Sequence, residues 1–153
     1  MNQHLPRWVR ASFLRHFNSK KQNLKLRFEG ADRLNPKNDA AEFRMDGPDE
    51  TRHDRLVADY AIFVNMLITT ISDENDEHKE ERHIGIIAAA FENSIPIYKL
   101  GKDAQIDTGV IIGCAILKAK IDITRFGAVE GFPNIMYATV EGDYCLTLTE
   151  ELT

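Results

Sequence analysis

Leu56 to Ile71 is one unbroken run of strand-forming residues. In an extended backbone Tyr60, Ile62, Val64, Met66 and Ile68 share one side, while Ala61, Phe63, Asn65, Leu67 and Thr69 share the other. Globular strands usually run about 5–6 residues, so a strand of this length must project beyond the core of a single small domain. With apolar residues on both sides, both of its faces are expected to be largely covered. A shorter alternating segment, Ala41 to Asp46, precedes it and is expected to break at Gly47-Pro48. Pro48 to Arg55 then joins the two through eight residues, six of them ionisable and none large and apolar. A charged hairpin reaching past a small core suits contact with a neighbour. Glu50, Arg52 and Arg55 are therefore candidate interface residues. Nothing in this stretch supplies a nucleophile, a phosphate cradle or a metal cage, which directs the search for function toward assembly.

The remaining constraints are those of an ordinary globular chain. At 153 residues the sequence suits one domain, residues 1–153, able to bury roughly two-thirds of its unfolded surface around a single core. A hydrophobic fraction of 43% and a charged fraction of 28% place it away from the disordered class. The longest apolar runs, Ile84 to Phe91 and Val110 to Leu117, fall short of the roughly 20 residues that cross a bilayer. Met1 to Pro6 opens an amphipathic, arginine-bearing segment rather than an apolar leader, so no membrane partner and a cytoplasmic site of synthesis are expected. Two cysteines, Cys114 and Cys145, are too few for a disulfide scaffold and sit in apolar strand-like contexts, as buried thiols do.

Charge is unevenly placed. Residues 1–27 hold Arg7, Arg10, Arg15, Lys20, Lys21, Lys25 and Arg27 and no acid, a charge of +7; against a net charge of −5, the rest of the chain carries −12. A basic end on an acidic body fits a head-to-tail partner or a polyanion facing that end. It fits equally a basic helix packed on its own acidic sheet edge. Arg7, Arg10 and Arg15, with Asp73, Asp76 and Glu77 as an acidic counterpart, complete the candidate interface set.

Periodicity places the elements. Pro6 suits a first helical turn, and Leu5, Val9, Phe13 and Phe17 with Trp8 and Leu14 form an apolar stripe ending near Asn18-Ser19. Leu24, Leu26 and Phe28 alternate as a half-buried strand, and Gly30 to Asp39 reads as a loop. The acidic run from Ser72 leads into Ile84, Ile87, Ala88 and Phe91, a core-facing helix with a dipole-complementing start, closed by Asn93-Ser94 and Pro96. Ile95 to Leu100 suits an edge strand, where proline is tolerated. Val110 to Phe126 suits one long strand with a bend at Gly113. Asn134 to Val140 and Tyr144 to Thr149 suit a hairpin turning at Glu141-Gly142-Asp143. Helix, three strands, helix and four strands make an α+β fold, a mainly antiparallel β-sheet with two helices packed on it.

Catalytic patterns are weak. His78 and His83 stand five apart, not at the four-residue spacing of a helical zinc pair. His53, Asp59 and Cys145 are the best members an acid–base or nucleophile set has, as a small hydrolase or deaminase-like enzyme would need, and none lies in a local signature. Gly109 to Gly113 and Gly127 to Gly131 lack the spacing of a P-loop or a dinucleotide turn. Trp8, Phe13 and Phe17 alternate with arginines as a nucleic-acid stacking surface does, and also as the core side of a helix does, which is the commoner case. No catalytic residue, cofactor or metal is assigned.

A family resemblance rests on Glu42-Phe-Arg-Met-Asp-Gly-Pro48, the charged turn, Asp59-Tyr-Ala-Ile-Phe-Val-Asn-Met-Leu-Ile68, then a helix and Ile97-Tyr-Lys-Leu-Gly101. These resemble small virion proteins of tailed bacteriophages. The element order, with Arg125-Phe-Gly and Ala138 to Leu148 at the end, is similar to that of tail terminators and head–tail joining proteins. The resemblance spans about Leu5 to Leu148 and contains no chemical signature. It implies a homo-oligomeric ring, commonly a hexamer, that caps the tail tube, docks to the head connector and lets genomic DNA pass. Its partners would be itself, the tail tube protein and the connector proteins, and its place would be the virion, with neither catalysis nor cofactor. Another neck or head-completion adaptor, or a nucleic-acid-binding module using the basic amino-terminal helix, are the other readings.

Overall fold

The computed structural model describes residues 4–22, 24–28, 40–52, 60–73, 77–100, 106–130 and 132–148. The helix α1, Leu5–Lys20, is followed by β1 (Lys25–Phe28), β2 (Ala40–Arg52) and β3 (Tyr60–Asp73). Then come α2 (Glu77–Ala90), β4 (Ser94–Leu100), β5 (Ile106–Leu117), β6 (Asp122–Val129) and β7 (Phe132–Leu148). The seven strands form one sheet in the order β1-β2-β3-β7-β5-β4, with β6 beside β7. Every pairing is antiparallel except that of β1 with β2. The fold is α+β with a mainly antiparallel sheet and two helices.

Both helices lie on one face. Alternation in β3 decides this: Ile62, Val64, Met66, Ile68, Thr70 and Ser72 are buried, whereas Phe63, Asn65, Leu67 and Thr69 are half-buried. Both faces of this strand are thus covered to a large extent, as expected, although no described helix packs on the second one. Leu5, Val9, Phe13 and Phe17 of α1 bury their stripe, as their spacing predicts. Phe17 meets Phe43 and Phe91 edge-on at 5.8 and 5.0 Å, and Phe13 meets Tyr144 at 5.3 Å. Aromatic pairs in such tilted arrangements add to the burial term. Ser12, also buried on α1, accepts a hydrogen bond from the Tyr98 backbone N–H at 2.9 Å and ties the helix to β4.

Four sequence expectations change, each for a physical reason. First, β2 does not end at Gly47-Pro48; the ladder to β3 slips between Asp46 and Asp49 and resumes to Arg52. The proline, which has no N–H to give, falls in that irregularity, and Gly47 supplies a φ of 101°. Second, Glu141-Gly142-Asp143 is not a turn, since β7 runs straight through it for 17 residues. Gly142 is needed there for packing: a Cβ would stand 2.8 Å from the Phe91 ring.

Third, the strand expected over Val110 to Phe126 is two strands, broken at residues 118–121 and not at Gly113. Between Leu117↔Tyr144 and Asp122↔Glu141 the outer chain uses four residues against two on β7. That excess bulges outward while the Lys118 N–H still donates to the Asp143 carbonyl at 2.9 Å. The expected count of four closing strands is thus met by different segments. Fourth, the acidic run from Ser72 opens α2 only with its second part: Ser72 and Asp73 finish β3, and the helix starts at Glu77. Cys114 and Cys145 are half-buried free thiols, not fully buried ones.

Candidate interaction surfaces

Of the expected interface residues, Arg7, Arg10 and Arg15 are exposed on α1, as its burial pattern requires. Arg15 is also engaged within the chain, its guanidinium 5.1 Å from the centre of the Tyr98 ring. Trp8, Phe13 and Phe17 point into the core, which removes the aromatic stacking surface from this helix. The basic end of α1 reaches its own acid as well, Lys20 Nζ standing 3.1 Å from Glu92.

Glu50 and Arg52 lie in the β2–β3 ladder, opposite Ile62 and Tyr60. The strand expected over Leu56 to Ile71 begins, among described residues, at Tyr60. Arg55, Asp76, His53 and Asp59 fall outside the described residues, so the hairpin tip itself does too. Asp73 closes β3 opposite Ile135, and Glu77 is the first residue of α2. Among the described residues Arg7, Arg10 and Arg15 make no ion pair with the acidic run. The acidic side chains at the start of α2 are met by Arg125 of β6, which the sequence reading did not single out.

That contact joins an exposed arginine to a buried carboxylate. Arg125 Nε donates to Glu80 Oε1 at 2.7 Å, and Arg125 Nη1 stands 3.8 Å from Glu81 Oε1. The Glu80 side chain is 3% exposed, whereas Arg125 is 49% exposed. Glu80 Oε2 is buried with no hydrogen-bond partner among the described residues. One helical turn along, His83 Nδ1 shares a 2.8 Å hydrogen bond with the hydroxyl of Ser72. These groups pin α2 to the distal half of the sheet, where β3, β7 and β6 run on beyond β5. Glu80 stands four and seven residues before Ile84 and Ile87, on their side of the helix, and that spacing is the signal that could have found this anchor.

β6 itself is the most open element. Every residue from Asp122 to Ala128 is exposed, with Ile123 at 47% and Phe126 at 50%. Phe126 stacks on Tyr137 at 4.8 Å on the helix-free face. Gly127 carries a φ of 80° where the register to β7 slips between Arg125 and Gly127. Among the described residues no strand pairs with its outer side.

A cleft of about 500 Å3 opens on the helix-free face where β5 gives way to β6. Phe63, Lys118, Lys120, Asp122, Glu141 and Asp143 line it. Lys118 Nζ lies 4.2 Å over the Phe63 ring, and the Asn65 amide donates to Glu141 at 2.9 Å and to Asp143 at 2.8 Å. Two lysines face three carboxylates here, and these groups form no nucleophile–base pair. Cys145 lies on this same face, whereas His83 is under α2 on the other, so the two do not meet. Among the described residues no three His, Cys, Asp or Glu side chains group as a metal site would need. No described helix is long and apolar enough to cross a membrane. Tyr144, at the centre of the core, donates its hydroxyl to the Glu92 carbonyl at 2.9 Å. Burial, with the Glu92 carboxylate second, pushes its phenol well above the usual value, which marks a structural tyrosine.

No family model matches the chain, and no curated protein matches its sequence. One solved structure, whose name states no function, aligns with a TM-score of 0.62 at 10% identity, over 94% of this chain and 96% of its own. At that identity the likeness concerns the fold alone.

Proposed function

We propose that this chain is a structural protein of a tailed-phage virion, one subunit of a homo-oligomeric ring, hexameric by family resemblance. The ring sits at the head–tail junction, caps the tail tube and docks to the head connector, and genomic DNA passes through without specific binding. The observation that carries the reading is the length of β2, β3 and β7, at 13, 14 and 17 residues. Strands that long run on past the end of β5, and along that stretch the outermost strand is the exposed β6. Such a strand contributes little to its own subunit's core and leaves an edge that another chain can cover. A ring needs two different surfaces that fit each other, and the +7 segment and the −12 remainder supply opposite charge. The protein acts by assembly, with no catalysis and no cofactor.

Electron cryomicroscopy of the assembled particle tests this. One ring of copies at the head–tail junction is the expected result, and a single copy or none there would refute it. Another neck or head-completion adaptor is distinguished in the same maps by the ring's place relative to the tail tube. A nucleic-acid-binding role has one observation behind it, the exposed Arg7 and Arg10 on a rigid helix. It requires that free DNA bind the isolated protein with an affinity that falls steeply as salt rises.

A further inference from the structure

We infer that the outer edge of β6 is where a second copy of this chain adds its β1, antiparallel, so that the sheet continues from one subunit into the next. This rests on the ring reading above and names the surfaces that would make it.

The register of the sheet leads to the pairing. In its distal half the sheet is a five-stranded row, β1-β2-β3-β7-β6, and Arg27, Glu42, Thr69, Thr139 and Thr124 lie side by side across it. Strand β1 runs parallel to β2, and three antiparallel steps then lead to β6. β6 therefore runs opposite to β1. Two copies set side by side in the same orientation bring the β6 of one against the β1 of the other as an antiparallel pair, the more stable kind. Their helix-bearing faces stay on one side. A β6–β6 pair would instead need a two-fold axis and would close as a dimer, which cannot propagate around a ring.

Edge chemistry separates β6 from the other end of the sheet. Exposed edges are commonly blunted by lysine, proline or bulges. β4 has Pro96 and two register shifts against β5. β6, Asp-Ile-Thr-Arg-Phe-Gly-Ala-Val, has neither lysine nor proline, and it holds Ile123 and Phe126 half exposed. Its two slips, between Arg125 and Gly127 and between Ala128 and Val129, lie toward its carboxyl end and leave Asp122 to Arg125 in regular register. Charge selects the occupant. β1 carries Lys25 and Arg27 within the all-basic amino-terminal segment, whereas β6 starts at Asp122, lies beside Glu141 and leads into Glu130, and its own Arg125 is taken up by Glu80. Among the described residues no strand pairs with the outer side of β1.

Cross-linking between differently marked copies tests the inference. In a Cys114→Ser, Cys145→Ser background, Thr124→Cys is placed in one preparation and Arg27→Cys in another, and a short bismaleimide is added to each alone and to the mixture. With no stagger between subunits these two positions face each other, and a stagger of two residues leaves them within diagonal reach of about 7–8 Å. Lys25→Cys replaces Arg27→Cys if the latter does not fold. The expected result is a cross-linked dimer in the mixture and none in either preparation alone. A dimer from Thr124→Cys alone would overturn the inference in favour of a two-fold pair. Oligomers of full mass without the mixed cross-link would overturn it while leaving the ring reading intact. Mixed cross-links confined to open chains that never close would support the pairing and remove the ring. A monomer without cross-links, free and on particles, would remove both.

Discussion

α1 and β6 are attached to the same sheet in opposite ways. The helix sinks four apolar side chains to 1% exposure or less, Leu5, Val9, Phe13 and Phe17, and its aromatic rings interlock with Phe43, Phe91 and Tyr144. The strand leaves each residue from Asp122 to Ala128 exposed and is held by a one-sided ladder to β7 and by Arg125 reaching Glu80. One element stabilises its own subunit and the other is presented by it. The comparison teaches that regular secondary structure is no guide to where the folding energy lies. β6 is as well formed as α1, yet it removes little apolar area from water, and apolar burial is the dominant favourable contribution to folding.

The comparison breaks if stability is not concentrated where the burial is. Phe17→Ala removes a ring packed on three other aromatic residues and is expected to destabilise by about 3–5 kcal/mol, read from denaturant unfolding. A loss below about 1 kcal/mol would mean that the α1 seam is not the core.

Arg125→Ala sharpens it. The change strands a buried carboxylate, which costs roughly 1–3 kcal/mol, and the half-exposed, solvent-screened arginine puts the expected loss in the lower part of that range. Amides of β6 should then exchange faster while those of α1 do not. A loss as large as that of Phe17→Ala would make β6 part of the core.

The smallest effect on the isolated chain belongs to the hairpin. Replacing Glu50, Arg52 and Arg55 together should move its stability by no more than about 0.5 kcal/mol while joining of tails to heads fails. Normal joining with all three replaced would withdraw the hairpin from the interface.

What the sequence made legible follows from which forces act locally. Helix stripes and the alternation of β3 are periodic signals, and both helices and the fold class could be read from them. Register could not. Gly47-Pro48 and Glu141-Gly142-Asp143 have turn composition, and in the folded chain one falls at a ladder irregularity while the other admits the Phe91 ring. Both outcomes depend on a residue far away in sequence. The break at residues 118–121 is likewise set by a mismatch in count against β7, which no local pattern announces. Among the candidate interface residues, the exposure of Arg7, Arg10 and Arg15 was legible from the helix period. The importance of β6 was hidden, because exposure of an edge is a property of strand order. Arg125 and Glu80 are 45 residues apart, and only that order brings them together.

Hydrogen exchange at β6, compared between the isolated chain and the assembled particle, tests most directly whether this strand is kept for a neighbour. The account predicts that amides between Asp122 and Ala128 that do not face β7 exchange rapidly in the isolated chain and become strongly protected on assembly, with the α1 core unchanged. Equal exchange of those amides in both states would contradict it.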